Sequence, residues 1–225
     1  MKQALSVLFV GMFVVAAASA EKIPNDTPGS NVVTDCDVTG YLGYTGPGGA
    51  IPDADPNGII LGPVQTDANG DTFDDVILSV NFSHTWLGHL RMSLFYDADC
   101  DGVPEMEASV LCRVDLDGCP PDGCCGCSGD MGGTYTFDDI ASAGSIEAQG
   151  CPSFFAPGCY GPDLDSTGLD VLDGMTDGGC FWLFVQDGAG GDTGFVEVWD
   201  AYVLPGGGAT PTVETSWGSV KADYR

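Results

Sequence analysis

The sequence predicts a single all-β domain, and three observations lead to it. Gly and Pro number 34 and 14 among 225 residues while Lys plus Arg number only 6, a composition suited to short strands joined by turns and poorly suited to a helical bundle. Apolar and polar residues alternate with period two in several segments, and no segment before Pro205 shows a 3.6-residue period. Hydrophobic residues make up 44% of the chain, enough to build a core and to exclude global disorder. The formal net charge of −27 repels phosphate backbones and anionic headgroups, which excludes a general nucleic-acid binder and a polybasic membrane-surface protein.

Residues 1–20 read as a signal peptide. Lys2 supplies the positive start, Ala4 to Val15 the apolar stretch, and Ala18-Ser19-Ala20 the small residues of a cleavage site. The apolar run is too short to span a bilayer, and nothing later in the chain is apolar enough to do so. The expected location is therefore secreted or cell-surface, periplasmic or extracellular. Residues 21–47 are polar and turn-rich and are expected to form an N-terminal strap. In Val76–Ser83, Val76, Leu78, Val80 and Phe82 fall on one face, with Ser79, Asn81 and Ser83 on the other. Leu90, Met92, Leu94 and Tyr96 alternate in the same way, and the intervening His84–His89 turn suggests that the two segments form a hairpin. Phe181–Val185 is apolar on both faces, as a central strand requires, and Phe195–Leu204 reads as a long final strand. Asn81-Phe82-Ser83 is formally a glycosylation sequon, but its place in a strand makes the structural reading preferable.

Export points to disulfides for the ten cysteines Cys36, Cys100, Cys112, Cys119, Cys124, Cys125, Cys127, Cys151, Cys159 and Cys180. The cluster Cys119, Cys124, Cys125 and Cys127 does not reproduce the paired C-x2-4-C spacing of zinc sites. Connectivity is not readable from spacing.

Three stretches carry a family resemblance: Ala50–Gly58, Val80–Gly88 with His84, Trp86 and Gly88, and Gly179–Trp199 with Phe181, Leu183, Val185, Asp187, Asp192, Gly194 and Trp199. In order and spacing they resemble the P domain of proprotein convertases and bacterial subtilisin-like proteases, over residues 48–204. Thr136-Phe137-Asp138-Asp139 resembles an internal motif of the same family. The resemblance implies a jelly-roll β-sandwich, with a Cys-rich insertion at about 99–133. There are departures: His89 stands where the family usually has Asp, and Cys180-Phe181 replaces a Thr-Trp pair, which suggests a disulfide tie at Cys180. The family's protease domain has no counterpart here, since only about 27 residues separate the cleavage point from the domain.

Catalysis is not expected. The only candidate bases are His84 and His89, both in one turn, and no strained nucleophile elbow is present. With no third nitrogen ligand for zinc, one packed and one surface histidine is the plain reading. Calcium is the sharper possibility. Asp97, Asp99 and Asp101 alternate in a loop with Gly102 at the sixth position, and Glu105 is placed to complete an oxygen shell. A calcium site and a solvated acidic turn both fit this loop. Asp67, Asn69 and Asp71, followed by Asp74, form a second loop of the same kind. Asp138, Asp139, Asp187 and Asp192 either ligate an ion or cap turns, with the structural role preferred.

After the domain, residues 205–214 read as a flexible linker. The tail, 215–225, offers Trp217, Tyr224 and Arg225 as recognition anchors, against the alternative of a disordered end. The functional expectation is an exported, non-catalytic binding or structural module, stabilised by calcium and disulfides, with an extracellular protein or glycan as partner. One alternative is an accessory of a secreted subtilisin-like protease. Another is a carbohydrate-binding or adhesion sandwich, which requires exposed aromatics such as Trp86 or Trp182 along one face.

Overall fold

A computed structural model describes residues 36–112, 128–150, 152–164 and 166–206. The segments expected as signal peptide and tail, most of the strap and linker, and Cys119, Cys124, Cys125, Cys127 and Cys151 lie outside the described residues. Ten strands are described: β1 (Leu42–Ile51), β2 (Ile59–Gln65), β3 (Phe73–His84), β4 (Leu90–Asp97), β5 (Met106–Cys112), β6 (Asp130–Phe137), β7 (Phe154–Phe155), β8 (Gly158–Tyr160), β9 (Cys180–Asp187) and β10 (Gly194–Pro205). They form two sheets. One has the order β1-β10-β3-β6-β7, with β8 also paired to β6; the other is β2-β9-β4-β5. The protein is an all-β sandwich, as the composition and periodicity predict.

Each sheet turns one alternating row inward. From β3, Val76, Leu78, Val80 and Phe82 are at most 1% exposed; opposite them Leu90, Met92, Leu94 and Tyr96 of β4 are fully buried. The two strands do not form the expected hairpin. β3 pairs with β10 and β6, whereas β4 pairs with β9 and β5, so the Thr85–His89 segment carries the chain from one sheet to the other. Period-two patterning shows that each strand has one buried face, but two strands facing each other across a core satisfy it as well as two strands side by side.

β9 and β10 are central strands, β9 between β2 and β4 and β10 between β1 and β3. Phe181 on the inner face of β9 packs with Tyr96 (ring centroids 5.0 Å apart) and reaches across the core to Phe73 (5.7 Å) and Tyr44 (6.4 Å). Trp199 of β10 is fully buried opposite Gly46 of β1. A Cβ at Gly46 would lie 2.0 Å from the Trp199 ring, so only glycine leaves room for the indole.

The boundaries differ from expectation in three places. β1 begins at Leu42, inside the stretch expected as strap, and Gly43–Pro47 pair with β10. Its Gly and Pro content hides it as a strand, because neither residue signals strand formation. The expected insertion, 99–133, contains β5, whose Ala108, Val110 and Leu111 are fully buried, so part of it belongs to the sandwich. β10 runs through Pro205, one residue into the expected linker.

The strap residues 36–41 lie on the outer face of the larger sheet. The Tyr41 hydroxyl donates to Asp75 (2.5 Å), and the Cys36 N–H donates to Asp138 (2.8 Å). Ile77 and Ser79, on that same face, are 0% and 8% exposed, so β3 is buried on both sides along this stretch rather than half-buried. Cys36 is bonded to Cys159 and Cys100 to Cys180. The second bridge is the tie suggested by Cys180, and it joins the loop after β4 to the start of β9. Cys112 is disulfide-bonded too. The edge strand β5 is covered: the Asp163 and Gly168 N–H groups donate to the Val110 and Ser109 carbonyls (3.0 and 3.1 Å).

Replacing Gly46 by alanine is expected to displace the Trp199 ring or part β1 from β10, lowering stability by about 1–3 kcal/mol as overpacked cores do. Urea melts of the oxidised protein check this; an unchanged midpoint would show that the indole moves at no cost.

Candidate metal centre

Asp97 ends β4, and the chain turns at once through Ala98–Pro104 before β5. Two residues of this turn take left-handed backbone, Cys100 at φ 56° and Gly102 at φ 91°, and the second is the sixth-position glycine of the loop. The turn brings oxygens of Asp97, Asp99 and Glu105 within 4.8 Å of one another. Asp97 is fully buried, and its two oxygens accept the Asp101 N–H (3.2 Å) and the Gly102 N–H (2.7 Å). Asp99 accepts from Asp101 N–H (3.2 Å), and Glu105 from Ala98 N–H (2.7 Å).

Each carboxylate in this group keeps lone pairs beyond those N–H bonds, so the donor set is all oxygen and suits a hard cation. The neighbouring Asp101 charge, followed by partial desolvation, raises the pKa of Asp99. Arg91 is the one Lys or Arg among the described residues, and it is engaged by Glu107 at 2.8 Å. Asp101 does not join the cluster. Its Oδ1 turns to the Val103 N–H (2.8 Å), so of the four residues expected here three converge.

The second expected loop is built differently. Asn69 and Gly70 donate their N–H groups to Asp177 (3.1 and 2.7 Å), and the Asp71 carbonyl accepts from Asp177 N–H (2.9 Å). Asp67, whose own N–H meets the Tyr44 hydroxyl at 3.4 Å, and Asp71 belong to no group of three converging ligands among the described residues. A carboxylate over 100 positions downstream organises this turn, which local spacing could not show.

The motif carboxylates mostly cap turns. Asp138, 1% exposed, accepts from Ile140 N–H (3.0 Å) as well as from Cys36. It also lies against the sulfurs of Cys36 and Cys159, but these form a disulfide and are not thiolate ligands. Asp139 accepts from the Leu169 and Asp170 N–H groups, both at 2.8 Å. Burial, then the nearby Asp170 charge, pushes its carboxyl up to about 6. Asp173 is likewise pushed up to about 6 by burial, then by Asp170, Asp75 and Asp74.

At one end of the sandwich both histidines converge on one carboxylate. Asp187, fully buried, has His84 Nε2 at 3.2 Å and His89 Nδ1 at 3.8 Å; His89 Nδ1 also reaches Asp192 at 3.0 Å. On its other side His84 Nδ1 lies 3.1 Å from the Trp86 N–H and 3.0 Å from the Trp86 carbonyl, so the ring is held between Trp86 and Asp187. Asp192 further accepts from the Thr85 hydroxyl (2.9 Å), and Trp86 stacks on His89 with centroids 5.2 Å apart. This network ties the β3–β4 crossover to the β9–β10 loop. Asp187 and Asp192 therefore serve the histidines, and His89 is mostly buried rather than a surface residue, with a side chain 17% exposed. The motif spacing puts Asp187 and Asp192 close together in the chain, but nothing in it points to the histidines as their partners. Gly194, in the same motif, leaves room for His84: a Cβ there would lie 2.4 Å from the imidazole.

No family model and no curated protein matches the chain. Among solved structures, a serine protease of Aeromonas sobria in complex with its chaperone matches with a TM-score of 0.36 and 15% identity, over 72% of this chain and 26% of that one. The serine protease of Aeromonas sobria alone matches with a TM-score of 0.35 and 15% identity, over 72% and 27%. The chain spans little more than a quarter of the proteins it matches. At these scores the likeness assigns neither fold nor function to it.

The raised carboxyls predict a pH dependence. Asp139 and Asp173 bind protons more tightly folded, at about 6, than at their ordinary value of 3.8, so their ionisation destabilises the fold above pH 6 and this penalty is relieved as pH falls from 6 toward 4. The melting temperature is expected to rise between pH 7.5 and pH 5, and Asp173→Asn is expected to flatten that rise by raising the value at pH 7.5. A variant with an unchanged slope would remove Asp173 from the account.

Proposed function

We propose that this chain is an exported, non-catalytic module of P-domain type that binds an extracellular partner and is stabilised by calcium in the Asp97–Glu105 turn. The observation that carries the calcium reading is the convergence of Asp97, Asp99 and Glu105 oxygens within 4.8 Å in a turn with no cationic side chain among the described residues to offset them. A molecule with formal charge −27 gains from any bound divalent cation through relief of self-repulsion. Extracellular modules hold calcium with dissociation constants of about 10⁻⁴–10⁻³ M, a range that three carboxylates completed by water and backbone oxygens suit.

The non-catalytic reading rests on the two histidines being engaged by Asp187 and Asp192 in a corner between crossovers. The P-domain reading rests on the motifs of residues 48–204, and export on the signal-like first twenty residues together with disulfides. Among the described residues no helix is long and apolar enough to cross a membrane.

Calorimetric titration of the oxidised protein with calcium, paired with melts in calcium and in chelator, tests the reading. Saturable binding in the 10⁻⁴–10⁻³ M range and a melting temperature several degrees higher in calcium are expected, with both effects lost in Asp99→Asn or Glu105→Gln. Coincident melts in calcium and chelator would sink it. Retained binding in both variants, with loss in Asp187→Asn, would move the ion to the histidine corner.

A further inference from the structure

The outer face of the smaller sheet brings several large apolar side chains together. Its inward row, Leu61, Leu183, Val185, Met92 and Leu94, is buried, and by the alternation of the strands the residues between them point out. In register across the sheet, Ile60 of β2 stands beside Phe184 of β9, and Trp182 of β9 beside Phe95 of β4. Ile60 is 58% exposed, and the three aromatic residues are partly exposed. Phe95 and Phe184 meet edge to face at 6.1 Å. Arg91 holds its guanidinium 5.7 Å from the Phe184 ring centre and is fixed there by Glu107 (2.8 Å), which also accepts from the Ser93 hydroxyl (2.7 Å).

We infer that this face binds a neutral polysaccharide, with Trp182, Phe95 and Ile60 as the apolar platform and the Arg91–Glu107 pair as its polar edge. Charge selects the occupant. Among the described residues the charged groups across the middle of the face are Arg91 and Glu107, which neutralise each other, in a molecule of formal charge −27. An anionic polymer meets the surrounding negative field, and a basic peptide finds its carboxylates away from the aromatic rings. An uncharged sugar chain meets neither penalty. Its C–H faces stack on flat aromatic rings, and its hydroxyls match the planar donors of a guanidinium and the acceptors of a carboxylate held side by side. A row of rings on a sheet face is also extended, as a chain ligand requires, whereas a small molecule is usually enclosed in a cavity. The inference deepens the binding-module reading but does not depend on calcium, since none of these five residues belongs to the Asp97, Asp99 and Glu105 group.

Affinity electrophoresis of the oxidised protein through gels containing a soluble β-glucan, a mannan or a galactan tests it, with retention on insoluble cellulose and chitin run alongside and polygalacturonate as the anionic control. Retardation by at least one neutral polysaccharide is expected, weakened about tenfold or more in Trp182→Ala and in the milder Phe95→Leu, and also reduced in Arg91→Gln. Melting curves confirm that each variant is folded; if Trp182→Ala does not fold, Phe95→Leu and Arg91→Gln decide. No retardation by any of the neutral polymers, retardation only by polygalacturonate, or retardation unchanged in the folded variants would overturn it. So would a dimer in sedimentation that Ile60→Asp dissociates, because a second copy would then cover the face. A negative result with a positive calcium titration would refute the glycan face and leave the calcium module intact.

Discussion

The stacking of Phe181 against Phe73, across the gap between the sheets, is the contact on which the sandwich depends. Phe181 lies on the inner face of β9 and touches Tyr96 on its own sheet and Tyr44 on the other. Aromatic pairs of this kind add about 0.5–1.5 kcal/mol each beyond the area they bury. Their larger consequence is geometric, because they set the spacing at the end of the molecule where β4 finishes and β9 begins. There the Tyr96 hydroxyl donates to the Thr176 carbonyl and accepts the Gly179 N–H, and the Cys100–Cys180 bridge joins the same two segments. The Asp97–Glu105 turn grows from this anchored end, so its carboxylates are held on a rigid base even though Asp99 and Glu105 are exposed.

A chain this acidic cannot use ion pairs as its electrostatic ties. Arg91–Glu107 is the one Lys or Arg pair among the described residues, and the other carboxylates described are met mainly by backbone N–H groups and hydroxyls, with the two histidines and the Asn57 amide beside them. Asp97, Asp138, Asp139 and Asp177 each accept from one or more N–H groups of a turn and thereby satisfy donors that a strand-poor loop would otherwise leave open. Where such carboxylates are buried and also crowd together, as Asp139 and Asp173 do around Asp170, the protonated form is favoured. High negative charge thus serves turn formation locally and costs repulsion globally, which is the physical ground of the calcium proposal.

Whether a cluster of side chains is legible in the sequence depends on how far apart its members lie along the chain. Asp97, Asp99 and Glu105 were legible because their spacing is local: alternate residues in one turn must lie close together. Asp67, Asn69 and Asp71 have the same local appearance, but Asp177 takes the turn's N–H groups, and nothing near Asp71 in the sequence points to it. The pairing of His89 with Asp192, across 103 positions, was out of reach for the same reason.

The fold class, the inward-facing rows of β3 and β4 and the central place of β9 follow from the sequence alone, because alternation and composition act through nearest neighbours along a strand, whereas the bridge at Cys180 is what the family resemblance implies. Tertiary structure decided which sheet each strand joins, turned the expected β3–β4 hairpin into a crossover, and made a strand of the Gly- and Pro-rich Leu42–Ile51. It also decided that Trp182, Phe184 and Phe95 share one face while Trp199 fills the core and Trp86 covers His89. These outcomes follow from packing between segments distant in the chain, where the free energy depends on the shape of the partner surface, and a sequence pattern specifies only that a partner is needed.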